Sequence, residues 1–153
     1  MISAGQTAPD FTLPRDGDAT ITLAALRPGK VVLYFYPKDD TPGCTLEAQD
    51  FNARLAEFTA AGATVIGISK DSVKSHDKFC KKHGLSIVLA SDETGHTCED
   101  YGVWLEKSMY GKTYMGIERT TVLIDGAGAV ARVWNKVSVK GHADDVLAAV
   151  KAL

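Results

Sequence analysis

The stretch YFYPKDDTPGCT, residues 34–45, runs from an apolar strand through a polar loop to the predicted start of a helix. It places Cys44 where unpaired backbone amides and the helix dipole favour a thiolate over a thiol. Thr41 lies three residues earlier, so its hydroxyl can turn back toward the sulfur or cap the first-turn amides. Pro37 fixes φ at the loop entry and stiffens it. We therefore predict that Cys44 is a catalytic nucleophile.

Apolar runs and helical spacing around this stretch predict alternating strands and helices. The buried strands span residues 31–36, 64–69 and 85–90. One predicted helix runs from Cys44 and ends at Gly62, and a second follows an N-cap at Asp71 or Ser72 and ends near His83. A short helix is predicted within residues 94–103, and the last helix spans residues 144–153. The inward stripes of the first and last helices are predicted to be Leu46, Phe51, Leu55 and Phe58, and Val146, Leu147, Val150 and Leu153.

Two hairpins complete the pattern. The first hairpin has a turn at 14–18 between strands at 11–13 and 20–23. The second has a glycine-rich turn at 126–128 between strands at 121–125 and 129–134. No clear pattern covers residues 104–118. Strands that alternate with helices predict an α/β fold, with a central mixed β-sheet flanked by helices and an N-terminal β-hairpin. No repeat or linker divides the chain, so residues 1–153 are predicted to form a single domain.

Composition argues against several classes of protein. Charged residues make up 24% of the 153 residues and the net charge is −2, which disfavours a nucleic-acid or membrane-surface protein. No apolar run is long enough to span a bilayer, and the N-terminus lacks the features of a signal peptide. We therefore expect a cytoplasmic protein whose three cysteines are free or redox-active. No histidine lies at metal-ligand spacing from a cysteine, so no metal site is expected.

The order of elements is similar to that of the thioredoxin fold, in which a strand leads to a cysteine at a helix start and βα and ββα units follow. Thioredoxins carry Cys-x-x-Cys at that point, whereas this chain has Thr41-Pro42-Gly43-Cys44. A hydroxyl therefore stands where the first sulfur would be, and dithiol chemistry within the loop is lost.

The motif Pro37-x-x-x-Thr41-x-x-Cys44 resembles the peroxiredoxin signature. The wider stretch DTPGCT-x-E, residues 40–47, resembles the bacterioferritin-comigratory-protein (PrxQ) branch of that family, and the resemblance extends from APDF at 8–11 through GIERTT at 116–121 to the last helix. It implies a thioredoxin-like fold and a peroxidase for hydrogen peroxide and small organic hydroperoxides. It implies no metal, haem or flavin, and it suggests a monomer; the net charge already argues against a nucleic-acid or membrane partner.

The resemblance also implies roles for five residues. Cys44 is similar to the peroxidatic cysteine, which attacks the O–O bond and becomes sulfenic acid. Thr41 matches the residue that hydrogen-bonds the peroxide and the sulfur, and Arg119 matches the arginine that pairs with both. Pro37 matches a proline that shields the pocket, and Glu47 matches a residue that braces the site.

A resolving cysteine is implied as well. Many PrxQ proteins carry it five residues after the peroxidatic cysteine, where this chain has Gln49. The other location used in the branch is the next helix, where Cys80 lies, and Cys98 is expected to be structural. Because a disulfide needs Cα atoms within about 7 Å, a Cys44–Cys80 bond is expected to require local unfolding. Thioredoxin, or glutaredoxin, would then reduce the disulfide.

Three alternatives stay open at this point. The chain could be a general thiol–disulfide oxidoreductase, although it lacks Cys-x-x-Cys. It could be a non-catalytic redox-sensing module that recognises a partner when oxidised. It could also be a one-cysteine peroxiredoxin in which Cys80 has no role.

Overall fold

A computed structural model describes residues 2–153 and contains nine strands, five α-helices and one short 3-10 helix in that range. The strands are β1 Thr12–Arg15, β2 Ala19–Thr22, β3 Lys30–Phe35, β4 Ala63–Ser69, β5 Val88–Ser91, β6 Trp104–Met109, β7 Lys112–Ile117, β8 Thr120–Ile124 and β9 Val130–Trp134. The helices are α1 Pro42–Ala53, α2 Leu55–Ala60, α3 Val73–His83, α4 Thr97–Asp100 and α5 His142–Ala152, with the 3-10 turn at Leu23–Leu26. In this range, no helix has both the length and the apolar character that crossing a bilayer requires.

Seven of the strands form one mixed sheet in the order β2-β1-β5-β4-β3-β8-β9. Strands β3, β4 and β5 are parallel, whereas β8 runs antiparallel to β3 and β1 runs antiparallel to β5. The α/β fold with a central mixed sheet and the N-terminal hairpin β1–β2 are therefore confirmed. Because the carboxyl ends of parallel strands meet at one edge of a sheet, the loops after β3 and β4 lie together there.

Strand β3 separates two apolar cores because successive side chains point to opposite faces of the sheet. Leu33 and Phe35 face a core that includes Ile66 and Tyr101. Val32, Tyr34 and Tyr36 face the other core, which α1, α2, α3 and α5 cover. The continuous apolar run at 31–36 is thus explained by burial on both sides.

The helix predicted from Cys44 to Gly62 is broken at Arg54, which has φ −106° and ψ 9°. Arg54 donates through Nη1 to the Asp50 backbone carbonyl at 2.9 Å and through Nη2 to Asp144 Oδ2 at 3.3 Å. The second contact joins the residue at the break to α5. The predicted place of Leu46 was wrong, since it is exposed while Glu47 is buried. Leu46 follows Cys44 by two residues, a rotation of about 200° that takes it to the opposite helix face.

Smaller differences occur at element ends. Strand β5 begins at Val88 rather than at residue 85, α4 covers only Thr97–Asp100, and α5 begins at His142. Leu153 was predicted to face inward but is exposed. The unassigned stretch 104–118 forms the separate hairpin β6–β7, whose turn residues Tyr110 and Gly111 both have positive φ, as a tight two-residue hairpin turn requires.

Candidate active site

Cys44 lies in the first turn of α1, which follows the carboxyl end of β3 in the chain. Pro42 occupies the first helical position, where its missing N–H costs nothing, and Thr41 precedes it in an extended conformation. The first helical bond runs from the Thr45 amide to the Thr41 carbonyl at 2.8 Å. The amides of Gly43 and Cys44 come before it, so they have no partner within the helix. The Cys44 side chain is buried.

The sheet register brings Arg119 to the same place from a position 75 residues away in the chain. Thr120, the first residue of β8, pairs with Phe35, the last residue of β3. Arg119 therefore enters the edge at which Cys44 lies. Its Nη2 donates to Cys44 Sγ at 3.3 Å, and its Nη1 donates to Glu47 Oε1 at 2.7 Å.

Glu47 holds the far side of the guanidinium from within the core. Burial raises its pKa to about 7, although the charge and hydrogen bond of Arg119 act in the opposite direction. Its other oxygen, Oε2, is buried and has no hydrogen-bond partner among residues 2–153. Burial lowers the pKa of Arg119, but Glu47 and Cys44 outweigh it, so that pKa is raised above its ordinary value. The arginine therefore stays charged beside the sulfur.

Thr41 and Pro37 lie on the outer side of the site. The Thr41 hydroxyl donates to the Lys38 carbonyl at 2.9 Å and makes no cap bond to the first-turn amides. The predicted turn of this hydroxyl toward the sulfur or those amides was therefore wrong. Pro37 is exposed and lines a groove together with Trp104 and Met115 of the β6–β7 hairpin.

The two other cysteines occupy different environments. Cys80 lies half-buried on α3, where burial raises its pKa to about 12. Cys98 is buried in α4 beneath the sheet, and burial raises its pKa further. All three cysteines are free thiols. The structure thus brings Arg119 into direct contact with both Cys44 and Glu47, and leaves Cys80 on a separate helix.

Sequence reasoning gave no role to Asp39, which forms a buried ion pair with His76 beside the site. The signal in the sequence was weak, because an aspartate in a polar loop is normally solvated. Within residues 2–153, no three His, Cys, Asp or Glu side chains gather in an arrangement able to hold a metal ion. Fold and site together define a thioredoxin-fold thiol protein with one buried cysteine hydrogen-bonded to an arginine.

Comparison with known proteins agrees with that class. The pattern of the AhpC/TSA family matches residues 4–133. A putative peroxiredoxin Bcp from Coxiella burnetii is 51% identical over 146 residues, and the match covers 95% of this chain and 97% of that protein. Peroxiredoxin Bcp from Xanthomonas campestris is 52% identical over 143 residues, and the match covers 94% of this chain and 89% of that protein. A solved structure of the Xanthomonas campestris bacterioferritin comigratory protein, from work on its alkyl peroxide reduction activity, superposes with a TM-score of 0.91 at 49% identity over 97% of this chain and 98% of that one.

The chain therefore belongs to the AhpC/TSA family, and within it to the Bcp (PrxQ) peroxiredoxins, which are thiol-dependent peroxidases.

Proposed function

We propose that Cys44 is the peroxidatic residue with which this peroxiredoxin reduces hydrogen peroxide and small organic hydroperoxides. The observation that carries the proposal is the 3.3 Å contact between Arg119 Nη2 and Cys44 Sγ at the start of α1. A charged donor contacts this sulfur and the first-turn amides begin the same helix; both favour negative charge there, whereas burial by itself opposes it. That arrangement suits a thiolate that displaces a leaving oxygen.

In the proposed step, the Cys44 thiolate attacks one peroxide oxygen and the O–O bond breaks. The products are Cys44 sulfenic acid and an alkoxide or hydroxide, which takes up a proton to leave as alcohol or water. Arg119 and the amides of Gly43 and Cys44 stabilise the negative charge as it moves from sulfur to the leaving oxygen. The Thr41 hydroxyl donates to Lys38, so its lone pairs are free to accept the O–H of the bound peroxide.

Ionisation alone is too small an effect to explain catalysis. A free cysteine is roughly 3% thiolate at pH 7, so complete ionisation gains about 30-fold. Enzymes commonly accelerate reactions by about 10⁶-fold or more. Most of the acceleration must therefore come from donors that match the charge in the transition state. We assign that role chiefly to Arg119, with Glu47 holding its guanidinium in place.

The second half of the cycle is assigned to Cys80. Its sulfur attacks the Cys44 sulfenic acid, a Cys44–Cys80 disulfide forms, and water leaves. Two of the Xanthomonas campestris PrxQ structures are of cysteine-to-serine mutants whose changed positions are 36 residues apart (84 − 48), as Cys44 and Cys80 are (80 − 44). A dithiol then reduces the disulfide, and we propose thioredoxin as that dithiol.

We propose in addition that the protein acts as a monomer, that residues 1–153 function as one domain, and that it works in the cytoplasm. Three cysteines, an odd number, do not suit a disulfide framework, which supports a reducing compartment. The two hydrophobic cores share the same strands, which supports one domain.

The test is peroxide consumption coupled to thioredoxin and thioredoxin reductase. We expect Cys44→Ser to abolish turnover and Cys80→Ser to abolish thioredoxin-dependent recycling while still forming one equivalent of sulfenic acid. Mass spectrometry of the oxidised wild type should show a Cys44–Cys80 link. A link through Cys98, or turnover by Cys44→Ser, would overturn the assignment. Insulin reduction at a rate comparable to that of thioredoxin would favour a general thiol–disulfide oxidoreductase instead.

A further inference from the structure

Two consecutive aspartates connect the loop before Cys44 to helix α3. Asp39 is buried, and its Oδ2 lies 2.7 Å from His76 Nδ1 and accepts a hydrogen bond from Ser75 Oγ at 2.8 Å. Its Oδ1 accepts a hydrogen bond from the hydroxyl of Tyr36, the residue that follows β3. One carboxylate therefore ties the end of β3, the loop and the first turns of α3 together.

His76 is held on both of its ring nitrogens by acceptors. Nδ1 faces the Asp39 carboxylate, and Nε2 lies 3.0 Å from the Ala90 carbonyl. Both nitrogens must therefore donate, which makes the ring an imidazolium. Burial lowers the pKa of His76, but the hydrogen bond and charge of Asp39 outweigh that effect and raise it overall. A buried pair of this kind resists separation, because parting it leaves an uncompensated charge in the core.

Asp40 makes a second connection, at the surface. Its Oδ2 accepts from Lys82 Nζ at 2.7 Å, and its Oδ1 lies 3.0 Å from His83 Nε2. Asp40 has φ 59°, in the left-handed region. That backbone conformation turns its carboxylate away from Asp39 and toward the end of α3.

The two connections lie on either side of Cys80. His76, Cys80 and His83 occupy positions i, i+4 and i+7 of α3, which share one helix face. The face that carries Cys80 is therefore attached to the Cys44 loop one turn before the cysteine and one turn after it. A movement of α3 away from the Cys44 loop therefore has to break at least one of these attachments.

We propose that the Asp39–His76 pair and the Asp40–Lys82/His83 contacts form an aspartate latch, whose release limits formation of the Cys44–Cys80 disulfide. The proposal rests on the function proposed above for Cys80. While the latch is closed, Cys44 stays opposite Arg119 and its sulfenic acid persists. A second peroxide can then oxidise the sulfenic acid to sulfinic acid and is itself reduced to water or alcohol. Asp39, Asp40 and His76 are thus positioning residues for the second step and do not touch the reacting atoms.

The Asp40→Asn variant tests the surface contacts of the latch. Asparagine tolerates the left-handed backbone, so the change removes the charge and one of the two acceptor oxygens without straining the turn. Asp18→Asn is its matched control, because Asp18 is an exposed aspartate at φ 56° in the β1–β2 turn. With one equivalent of hydrogen peroxide in a stopped-flow experiment, we expect sulfenic acid formation to be unchanged in both variants. Disulfide closure should accelerate by about two- to fivefold in Asp40→Asn only, the range expected for an exposed ion pair.

The buried half of the latch is tested by His76→Gln. We expect closure to accelerate by about tenfold or more, with less sulfinic acid by mass spectrometry after repeated peroxide doses. His96→Gln is the control, because His96 pairs with Asp100 at the surface of α4. If His76→Gln fails to fold, the double-mutant cycle of Asp40→Asn with His83→Gln decides the question. The two changes must then accelerate closure by less than the product of their separate effects.

Unchanged or slower closure in Asp40→Asn and in the folded His76→Gln protein would overturn the latch. In the same experiment, a wild type that forms the Cys44–Cys80 disulfide, together with a Cys80→Ser variant that stops at the sulfenic acid, would show that the proposed function still holds. Absence of a Cys44–Cys80 disulfide in oxidised wild type would overturn both proposals, starting with the role of Cys80.

Discussion

Arg119 divides its two terminal nitrogens between a thiol and a buried carboxyl. Nη2 donates to Cys44 and Nη1 to Glu47, so the planar guanidinium is fixed at both ends. An ammonium group is a point charge and cannot make two directed contacts in this geometry. The identity of the residue therefore matters in addition to its charge.

We predict that Arg119→Lys lowers the second-order rate of sulfenic acid formation by about 100-fold, the effect expected when one directed transition-state donor is lost. The measurement is stopped-flow reaction of the reduced protein with hydrogen peroxide. Arg132→Lys, at a cation–π contact with Trp134 on β9, is the control and should react as the wild type does. A rate for Arg119→Lys within threefold of the wild type would contradict the assignment.

Glu47 gives the reduced protein a pH-dependent stability. Its folded pKa of about 7 lies above its unfolded value, so the folded state binds the proton more tightly. The stability that this confers is complete below about pH 4.5 and is lost as pH rises toward 7. We predict that the free energy of unfolding of Glu47→Gln, measured relative to that of the wild type, rises by about 2 kcal/mol from pH 5 to pH 7. Urea unfolding of both proteins at the two pH values measures the difference, and a constant difference would refute it.

At the scale of elements, α3 carries Cys80 and is defined by its two ends. Ser72 Oγ accepts a hydrogen bond from the Ser75 amide at 3.1 Å, and Gly84 ends the helix at φ 61°. These local signals explain why the sequence predicted α3 correctly. Strand β8 shows the opposite case, since only its pairing with β3 brings Arg119 to the site.

We predict that Ser72→Ala lowers the free energy of unfolding by about 1 kcal/mol and Tm by roughly 2–4 °C. Because the proposed latch requires α3 to move before Cys80 reacts, disulfide closure should also become faster in this variant. Thermal unfolding and stopped-flow oxidation measure the two effects. Ser108→Ala, at an exposed position of β6, should change neither. A stability loss without faster closure would mean that opening of α3 does not limit the second step.

At the scale of the whole molecule, packing gives three chemically identical thiols different reactivities. Cys44 lies against Arg119, Cys80 is half-buried on α3, and Cys98 is enclosed in the core on the other side of the sheet. Burial raises the pKa of Cys80 and of Cys98, so both remain thiols at neutral pH.

We predict that iodoacetamide labels Cys44 first in the folded, reduced protein and leaves Cys98 unlabelled until the protein is unfolded. Peptide mass spectrometry after timed labelling at pH 7 makes the comparison, and labelling in urea provides the reference in which all three react. Early labelling of Cys98 would contradict the burial on which this prediction depends.

Local patterns in the chain predicted most of the helices and strands, and they also predict Cys44 as the nucleophile. Apolar runs at 31–36 and 64–69, the caps of α3 and the position of Cys44 after Thr41-Pro42-Gly43 are local signals, because they depend on neighbours in the chain. The pairing of Arg119 with Cys44 was implied only by family resemblance, since no local pattern connects residues 75 positions apart.

The remaining features depend on contacts between distant parts of the chain. The break at Arg54 depends on a contact with α5, and the exposure of Leu46 depends on which face of α1 meets the sheet. The burial of Asp39 depends on α3, which supplies His76 as its counter-charge. Each of these outcomes is set by what packs against a residue from a distant part of the chain, and hydrophobic periodicity carries no information about that partner.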